Sequence, residues 1–438
     1  MTIPVPSSKE ILKHLGFKDF NSIQKEMILA AEKDQNIMLV APTGSGKTVG
    51  FIMAVLNNVK PGRGVQVLIL APTRELVLQI EQVLRQMKLN LKVNACYGGH
   101  PFKIERNNFS TPPEILVGTP GRIEDHIKRE TFNPETITQL IFDEFDKSLE
   151  YGFTSQMEAI VSHLSKIERQ ILVSATQSLD VPSYLNFNKP HLINATKIDK
   201  PDIALKQLIV PKDEKFEGLL QLLSQLKENE NAIVFVNHRD ASERICDYLD
   251  RFNAAYAIFH GGLKQTTREL ELMKFRNGSA QFLIATDIAA RGIDIPELDF
   301  VIHYQMPINE SAFIHRNGRT ARMKSTGTSI LIQTDGDALP DYLKEEPEII
   351  PNQEIQGLIE PEWVTFYIGK GKKDKVNKID LVGYFLQFDF MTKSDLGLIE
   401  IKDYSAYIAI KRKNAQRLLK ASQTKKIKNR TTKIQLVK

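Results

Sequence analysis

Short runs of apolar and β-branched residues alternate with helical patterns along most of this chain. The runs are NIMLVAPT, VLILAPT, EILVGTP, QLIFDEFD, QILVSAT, NAIVFVN, FLIATD and FVIHYQ. Runs that end in Gly, Pro, Thr, Ser or Asp are typical of buried parallel strands whose carboxyl ends open into functional loops. Segments with helical spacing, such as TRELVLQIEQVLRQM, separate them. The pattern therefore predicts repeated βα units and an α/β fold with mostly parallel sheets.

The chain has 438 residues, which is more than one hydrophobic core usually holds. The strand-like runs form two series, which predict tandem α/β domains at residues 1–200 and 205–335. Residues 336–360 are rich in proline and acids and read as a connector. Residues 361–438 follow the order β-α-β-β-α-β, which predicts a small C-terminal α+β domain of the ferredoxin-like or RNA-recognition-like type.

Positive charge is concentrated at the C-terminal end. Residues 361–438 contain 18 Lys and Arg against 7 Asp and Glu, whereas the preceding 360 residues contain 40 against 46. Such a basic end attracts polyanions by neutralising phosphates, although a merely solubilising surface is the alternative.

The cellular compartment is indicated by motifs that are absent from the sequence. Cys96 and Cys246 belong to no metal-binding or disulfide motif, and the N-terminal segment lacks the apolar region of a secretory signal. No stretch approaches the apolar length of a membrane span. We expect a cytoplasmic protein that acts as a monomer without a membrane partner.

The segment APTGSGKT, residues 41–48, lies between a predicted strand and a predicted helix, which is the context of a phosphate-binding loop. Glycines let backbone N–H groups surround phosphates, the lysine reaches the β- and γ-phosphates, and the last hydroxyl suits Mg²⁺. The candidate nucleotide-binding residues are Thr43, Gly44, Ser45, Gly46, Lys47 and Thr48.

Two adjacent acids, Asp143 and Glu144, follow the apolar run QLIF. Placed at a strand end, they are costly unless a cation neutralises one of them. We expect Asp143 to hold Mg²⁺ together with Thr48, and Glu144 to orient and deprotonate the attacking water. Acids that merely favour a helix N-terminus are the alternative.

The second series contains HRNGRTAR, in which Arg319 and Arg322 are three positions apart. That spacing predicts one helix face. These residues are candidate arginine fingers, which stabilise negative charge on the transferring phosphoryl group. If they come from a different domain than Lys47, hydrolysis is coupled to domain closure.

Over roughly residues 17–327 the chain resembles the DEAD-box family of RNA helicases. Phe17 and Gln24 have the spacing of the Q motif, and APTGSGKT, APTREL, a Gly-Gly pair, TPGR, SAT, ATDIAARGIDIP and HRNGRTAR follow in the family's order. The resemblance implies two tandem RecA-like domains and an ATP-dependent RNA helicase. It also implies that Gln24 reads adenine with Phe17 packed nearby, that Asp294 approaches the ribose, and that Ser174 and Thr176 couple hydrolysis to strand separation.

The same resemblance implies RNA contacts in both domains that do not depend on base sequence, since their hydroxyls, backbone N–H groups and guanidinium groups suit phosphates. They are Pro72, Thr73, Arg74, Gly99, Thr119 and Arg122 in the first domain and Arg239, Gly261, Thr286 and Arg291 in the second.

The C-terminal segment resembles the RNA-binding domain of the DbpA type, which implies tethering to structured ribosomal RNA and a role in ribosome assembly. Its basic residues Lys370, Lys372, Lys373, Lys375, Arg412, Lys413 and Arg417 are candidates for phosphate contacts, with Lys372, Lys373 and Arg412 foremost. Tyr367, Tyr404 and Tyr407 either stack on bases or fill the core.

One departure from the family lies inside the catalytic tetrad, which reads Asp-Glu-Phe-Asp with Phe145 where the family has Ala. We expect altered packing between this loop and the SAT and HRNGRTAR segments. An ATP-gated RNA clamp with little unwinding activity is therefore the alternative to a helicase. A DNA translocase is disfavoured by Gln24 and the SAT tripeptide.

Overall fold

The computed structural model describes residues 5–33, 35–42, 44–175, 180–195, 202–287, 295–321, 326–422, 427–428 and 432–437. The described residues form two compact units, one before residue 202 and one from residue 202 onwards. Among these residues, no helix combines the length and the apolar character needed to cross a bilayer.

The first unit is built on a seven-stranded sheet. Its strands are β1 (Asn36–Val40), β2 (Val67–Leu70), β3 (Val93–Cys96), β4 (Ile115–Gly118), β5 (Gln139–Phe142), β6 (Arg169–Ser174) and β7 (His191–Asn194). They lie in the order β3-β4-β2-β5-β6-β1-β7, and every pairing is parallel. The parallel sheet predicted from the apolar runs is confirmed, although β3 and β7 lack a clear apolar run.

Eight helices accompany this sheet in the described residues. They are α1 (Ser8–Leu15), α2 (Ser22–Lys33), α3 (Lys47–Leu56), α4 (Arg74–Met87), α5 (Phe102–Asn108), α6 (Pro120–Lys128), α7 (Phe145–Glu150) and α8 (Thr154–Val161). Alternate residues of a strand face opposite sides of a sheet. Accordingly, Ile37 and Ile69 belong to one apolar core and Leu68 and Leu140 to the other.

The second unit contains another seven-stranded sheet. Its strands are β8 (Asp202–Val210), β9 (Ala232–Val236), β10 (Tyr256–Phe259), β11 (Phe282–Thr286), β12 (Phe300–His303), β13 (Thr326–Thr334) and β14 (Glu348–Ile349). The order is β10-β11-β9-β12-β13-β8-β14, again with parallel pairings. Its helices are α9 (Lys215–Ser224), α10 (Arg239–Asp250), α11 (Gln265–Arg276) and α12 (Glu310–Asn317). The two sheets therefore share one topology.

Two features of this unit differ from the sequence-based expectation. Strand β8 begins at Asp202, before the predicted start of the second domain at residue 205. The predicted connector contributes the short strand β14, which pairs with β8 at the edge of the sheet. The limits of the four predicted segments stay predictions.

The C-terminal part is a four-stranded antiparallel sheet with two helices. Its elements are β15 (Trp363–Ile368), α13 (Lys378–Phe385), β16 (Leu396–Ile401), β17 (Ala406–Lys411), α14 (Arg412–Ser422) and β18 (Ile434–Leu436). The strands lie in the order β16-β17-β15-β18, which confirms the predicted β-α-β-β-α-β domain. Phe366 and Ile368 face the helices, whereas Thr365 on the other face hydrogen-bonds with Asn277 and Ser279 of the second parallel-sheet domain.

Candidate active site and nucleic-acid interface

The phosphate loop joins β1 to α3. Gly44 and Gly46 have φ values of 82° and 77°, a backbone conformation that residues with a Cβ rarely adopt. Lys47 is buried at the first position of α3, and its Nζ lies 3.5 Å from the carbonyl oxygen of Ala41. Thr48 is half-buried in the same turn, whereas Thr43 lies outside the described residues. The helix N-terminus and Lys47 both supply positive charge to this loop.

Gln24 on α2 and Asn21, which directly precedes α2, both hydrogen-bond to the phosphate loop. The Gln24 amide nitrogen donates to the carbonyl oxygen of Gly46 at 3.1 Å, and its amide oxygen accepts from the backbone N–H of Asn21. Asn21 in turn donates its side-chain amide to the carbonyl oxygen of Ser45 at 2.9 Å. Phe17 is 48% exposed near the end of α1. The roles implied for Gln24 and Phe17 in holding adenine stay predictions, and Asn21 is a loop contact that sequence reasoning missed.

The two acids and the phosphate loop lie along the same edge of the first sheet, since β5, β6 and β1 are neighbours. Asp143 directly follows β5, and Glu144 has a left-handed backbone conformation with φ at 49°. Ser174 ends β6, and its carbonyl oxygen accepts from the N–H of Ala41 at 3.0 Å. The tertiary structure thus brings Lys47, Asp143, Glu144 and Ser174 to one edge, while Thr176 lies outside the described residues.

The charges of this site are unfavourable for the isolated protein. Burial raises the pKa of Asp143 to about 6, Lys47 opposes the shift and Glu144 reinforces it. Glu144 is buried, and its Oε2 has no hydrogen-bond partner among the described residues. Two adjacent buried carboxylates, one of which has an unpaired Oε2, fit a divalent cation with its bound water, because carboxylate oxygens are the ligands that hard cations prefer.

Phe145 points away from this edge. Its side chain is fully buried in the core of the first domain, with its ring centroid 5.3 Å from that of Phe142 in an edge-on arrangement. Leu172, on the strand that ends at Ser174, belongs to the same core cluster. The bulk that replaces alanine therefore fills the domain interior instead of the catalytic edge.

The residues proposed to contact RNA in the first domain follow three neighbouring strands, β3, β4 and β2. Pro72, Thr73 and Arg74 follow β2, Gly99 follows β3, and Thr119 and Arg122 follow β4. The Arg74 guanidinium lies over the Tyr97 ring at 5.0 Å, and a Cβ added at Gly99 would lie 2.6 Å from its Nη2. The structure brings these loops together into one surface.

The second domain repeats the arrangement at β10, β11 and β9, which occupy the equivalent positions of its sheet. Arg239 begins α10 after β9, Gly261 follows β10, and Thr286 ends β11. A Cβ added at Gly262 would lie 3.6 Å from the Arg239 Cδ, so these two loops are adjacent. Arg291, Asp294 and Arg322 were also predicted as site residues and lie outside the described residues.

The prediction that Arg319 lies on a helix is wrong. Helix α12 ends at Asn317, two residues before Arg319. The chain then turns, because Thr320 pairs with Leu298 in an isolated β-bridge. The Thr320 hydroxyl also donates a hydrogen bond to the carbonyl oxygen of Leu298. Arg319 is 4% exposed, and its role as an arginine finger stays a prediction.

Two charged networks were missed by sequence reasoning. Arg316 of HRNGRTAR is buried and forms an ion pair with Asp287, which follows β11. Glu105 on α5 is buried and accepts hydrogen bonds from Arg122 and His126. The quoted motifs contained Arg316 and Asp287 without indicating their contact, and no sequence signal marked Glu105.

The basic residues of the C-terminal domain are not equally available for phosphate contacts. Lys370 is buried and donates to the carbonyl oxygen of Ile427, so its expected direction toward phosphates is wrong. The Arg417 guanidinium stacks on Phe390 at 4.0 Å, but Arg417 is exposed and its phosphate contact stays a prediction. Arg412 is partly exposed and donates to the carbonyl oxygen of Pro361.

A basic and aromatic edge remains in this domain. Lys372, Lys373 and Lys375 are exposed on the turn after Gly371, and the N–H groups of Lys372 and Lys373 bond the β16–β17 hairpin at residues 402–403. Tyr404 on that hairpin is 72% exposed and fills no core. Tyr367 and Tyr407 pack edge-on at 5.5 Å.

The fold and the phosphate site together define an ATPase built on two tandem RecA-like domains. A DEAD/DEAH box helicase model matches residues 21–183, a helicase conserved C-terminal domain matches residues 214–324, and a DbpA RNA binding domain matches residues 365–436. The chain belongs to the DEAD-box family of ATP-dependent RNA helicases.

Individual relatives agree with this assignment. The chain is 29% identical to the ATP-dependent RNA helicase DbpA of Escherichia coli over 99% of this chain and 98% of that protein. It is 34% identical to the ATP-dependent RNA helicase eIF4A of Neosartorya fischeri over 74% of this chain and 83% of that protein. A solved structure of S. cerevisiae Dbp5 bound to RNA and ADP BeF3 superposes with a TM-score of 0.68 at 25% identity, covering 78% of this chain and 94% of that one.

Proposed function

We propose that the protein hydrolyses ATP to bind, locally unwind and remodel structured RNA, and that its target is ribosomal RNA during ribosome assembly in the cytoplasm. It acts as a monomer in this proposal. The observation that carries it is the catalytic edge of the first domain, where Lys47, Asp143 and Glu144 lie together while Phe145 is turned into the core.

Each residue of this edge has a proposed task. Lys47 binds the β- and γ-phosphates, Asp143 and Thr48 hold Mg²⁺, and the unpaired Oε2 of Glu144 takes a proton from the attacking water. Bound Mg²⁺ supplies the charge that neutralises the phosphates and Asp143. Arg319 and Arg322 supply positive charge from the second domain, and Ser174 and Thr176 couple the reaction to RNA release.

The remaining nucleotide contacts are also proposals. Gln24 selects adenine with Phe17 beside it, and Asp294 approaches the ribose. The bonds from Gln24 and Asn21 to the phosphate loop support this proposal, because they connect the α2 region directly to the residues that hold the phosphates.

The clamp alternative is less well supported by the geometry. It requires Phe145 to obstruct hydrolysis, but this side chain packs against Phe142 inside the first domain. Both acids remain at the strand end with the Glu144 Oε2 free of protein partners among the described residues. The geometry of this edge therefore favours a protein that hydrolyses ATP over an ATP-gated clamp.

The ribosomal target rests on the C-terminal domain. Relatives named DbpA align with this chain over nearly its whole length. The exposed Lys372, Lys373 and Tyr404 combine cations with an aromatic ring on one edge. That combination suits single-stranded or looped RNA, in which bases are free to stack. We propose that this edge tethers the helicase core to its substrate.

ATP hydrolysis by the full chain and by residues 1–360 should be measured with bacterial ribosomal RNA, unrelated RNA and DNA. We expect strong stimulation of the full chain by ribosomal RNA, weak stimulation by other RNA and none by DNA. Residues 1–360 should lose the preference for ribosomal RNA. Equal stimulation by every nucleic acid would exclude the proposed target.

Catalysis is tested with Lys47→Ala and Glu144→Gln. The first variant should lose nucleotide binding, whereas the second should bind ATP and hydrolyse it on the order of 10² to 10⁴ times more slowly. Glu135→Gln is the matched control, since Glu135 is exposed near the amino end of β5. Normal turnover by Glu144→Gln would remove Glu144 from the catalytic role.

A further inference from the structure

Glu105 is a buried carboxylate at the centre of the first domain's proposed RNA surface. Its side chain is fully shielded from solvent on α5, between the loops that follow β3 and β4. An unpaired carboxylate in such a position is strongly destabilising, so its partners must account for its presence.

Four groups surround this carboxylate. Oε2 accepts from the Arg122 Nε at 2.6 Å and from the His126 Nε2 at 2.8 Å. Oε1 accepts from the backbone N–H of Tyr97 at 3.2 Å and lies 3.2 Å from the His100 Nδ1. Burial alone raises the pKa of Glu105, but the hydrogen bonds from His126, Arg122 and Tyr97 outweigh it and hold the pKa below its ordinary value. The group is therefore an anion at neutral pH.

The network satisfies Glu105 without a metal ion. The Cys96 thiol completes a buried trio with Glu105 and His126, which is a possible set of ligands for a cation. However, burial raises the pKa of Cys96, and Arg122 already neutralises the carboxylate at contact distance. A second cation would have to displace this guanidinium.

The Arg122 guanidinium is engaged by partners within the protein. Besides the bond to Glu105, its Nη2 donates to the carbonyl oxygen of His100 at 2.6 Å, and its Nη1 lies 3.7 Å from Asp125. The side chain is only 15% exposed. Arg122 thus ties α6 to the loop after β3.

The contacts continue to the third loop. Tyr97, whose N–H bonds Glu105, carries the Arg74 guanidinium on its ring. Arg74 also lies against Gly99, where the missing side chain leaves room for it, since a Cβ there would lie 2.6 Å from the Arg74 Nη2. One carboxylate therefore links the loops after β2, β3 and β4.

We propose that Glu105 is a positioning residue for RNA binding, which holds Arg122 and the turn at residues 97–100 so that three loops meet the phosphates as one rigid surface. This inference rests on the RNA contacts of the proposed function. Its physical basis is that a surface ordered in advance loses less conformational entropy when it binds. In this proposal Arg122 mainly holds α6 and the loop after β3 together.

The test is Glu105→Gln in the full chain. We expect the Kd for a fluorescein-labelled oligouridine, measured by anisotropy with saturating AMP-PNP, to rise about tenfold, the loss associated with one charge-assisted hydrogen bond. In RNA-stimulated ATPase assays the half-saturating RNA concentration should rise similarly, while the rate at saturating RNA changes less than about twofold.

Glu114→Gln is the matched control. Glu114 is also buried in this domain and accepts from the N–H groups of Gly62 and Lys92, both at 2.7 Å, but it lies at the amino end of β4. Thermal unfolding should show a loss of stability in both variants, whereas only Glu105→Gln should weaken RNA binding. Glu105→Asp, which keeps the charge on a shorter side chain, should recover part of the affinity.

Arg122→Lys gives a second measurement that keeps the buried anion and applies even if Glu105→Gln does not fold. It should weaken RNA binding to a similar extent, and the two changes together should cost little more than either alone. Equal RNA affinity of Glu105→Gln and Glu114→Gln would overturn the inference. Tighter binding by Glu105→Gln would also overturn it, because the carboxylate would then compete with phosphate for Arg122. A wild-type protein without RNA affinity would instead overturn the proposed function, and this inference with it.

Discussion

Arg316 and Asp287 form a bidentate ion pair in the second domain, with the Arg316 Nε 2.6 Å from the Asp287 Oδ1 and the Nη2 2.7 Å from the Oδ2. The same guanidinium donates to the Asn237 side chain and to the carbonyl oxygen of Gln305, and it lies over the Phe235 ring at 5.0 Å. One buried cation thus joins the segment after β11, the loops after β9 and β12, and α12. These loops surround the carboxyl edge of the second sheet.

Replacing Arg316 by lysine should destabilise the second domain by about 3–5 kcal/mol, because lysine leaves part of this buried network unpaired. Guanidinium denaturation followed by circular dichroism measures the loss. Arg251→Lys is the control, since Arg251 is exposed and only approaches the Tyr248 ring, and it should change stability by less than about 0.5 kcal/mol. Equal stability of the two variants would contradict a structural role for the ion pair.

Phe145→Ala separates the helicase proposal from the clamp alternative. Removing a fully buried phenylalanine should lower the unfolding free energy of the first domain by about 3–5 kcal/mol, while the turnover of folded protein changes only a few-fold. Phe132→Ala, in the same core cluster but before β5, is the control for loss of packing. A rise of several orders of magnitude in turnover for Phe145→Ala alone would favour the clamp.

Asp143 predicts a particular pH dependence of stability without nucleotide or Mg²⁺. Its pKa of about 6 in the folded protein exceeds the ordinary value of 3.8, so protonation stabilises the fold and this contribution is lost as pH rises through about 6. Asp143→Asn removes the buried charge, so its stability advantage over wild type should grow between about pH 4 and about pH 6 and stay constant at higher pH. Urea denaturation at several pH values provides the measurement. A difference that does not vary with pH would show that Asp143 stays ionised throughout.

Lys372→Ala combined with Lys373→Ala tests the charged part of the proposed RNA tether. The logarithm of ribosomal RNA affinity should depend less steeply on the logarithm of salt concentration, with the slope reduced by roughly 1.5 because two phosphate contacts are lost. Lys166→Ala with Lys189→Ala removes the same charge from exposed positions before β6 and β7. An identical change in both double variants would indicate a general effect of net charge.

Tyr404→Ala tests base stacking by the same edge. Since the ring is 72% exposed, its loss should leave stability nearly unchanged while weakening ribosomal RNA binding about tenfold. Tyr404→Phe keeps the ring and should retain most of the affinity. Filter-binding titrations compare the two, and a similar loss in both variants would point to the hydroxyl group instead of stacking.

The elements that the sequence predicted best are those with a local signature. Apolar runs such as NIMLV and QLIF became β1 and β5, because short continuous apolar runs between turn residues are typical of strands covered on both faces. Strand β3 alternates partly buried and buried residues and lacks that signature. The end of α12 was misjudged because Thr320 pairs with Leu298, a contact between distant positions that helical spacing does not encode.

The candidate site shows the same division. The phosphate loop is a contiguous segment, so its backbone conformation follows from its own glycines and flanking elements. The Glu105 network joins residues from α5, α6 and the loop after β3, and its burial depends on how β3 packs beside β4. No local pattern distinguishes such a carboxylate from a solvated acid on a helix.

The sequence by itself determined the α/β architecture, the phosphate loop with its pair of acids, and the order of motifs that places the chain among RNA helicases. Tertiary structure decided the direction of Phe145, the pairing of Arg316 with Asp287, and which lysines of the C-terminal domain reach solvent. The physical reason is that backbone conformation and apolar periodicity act between near neighbours in the chain. Burial, ion pairing and exposure arise only when distant segments pack together.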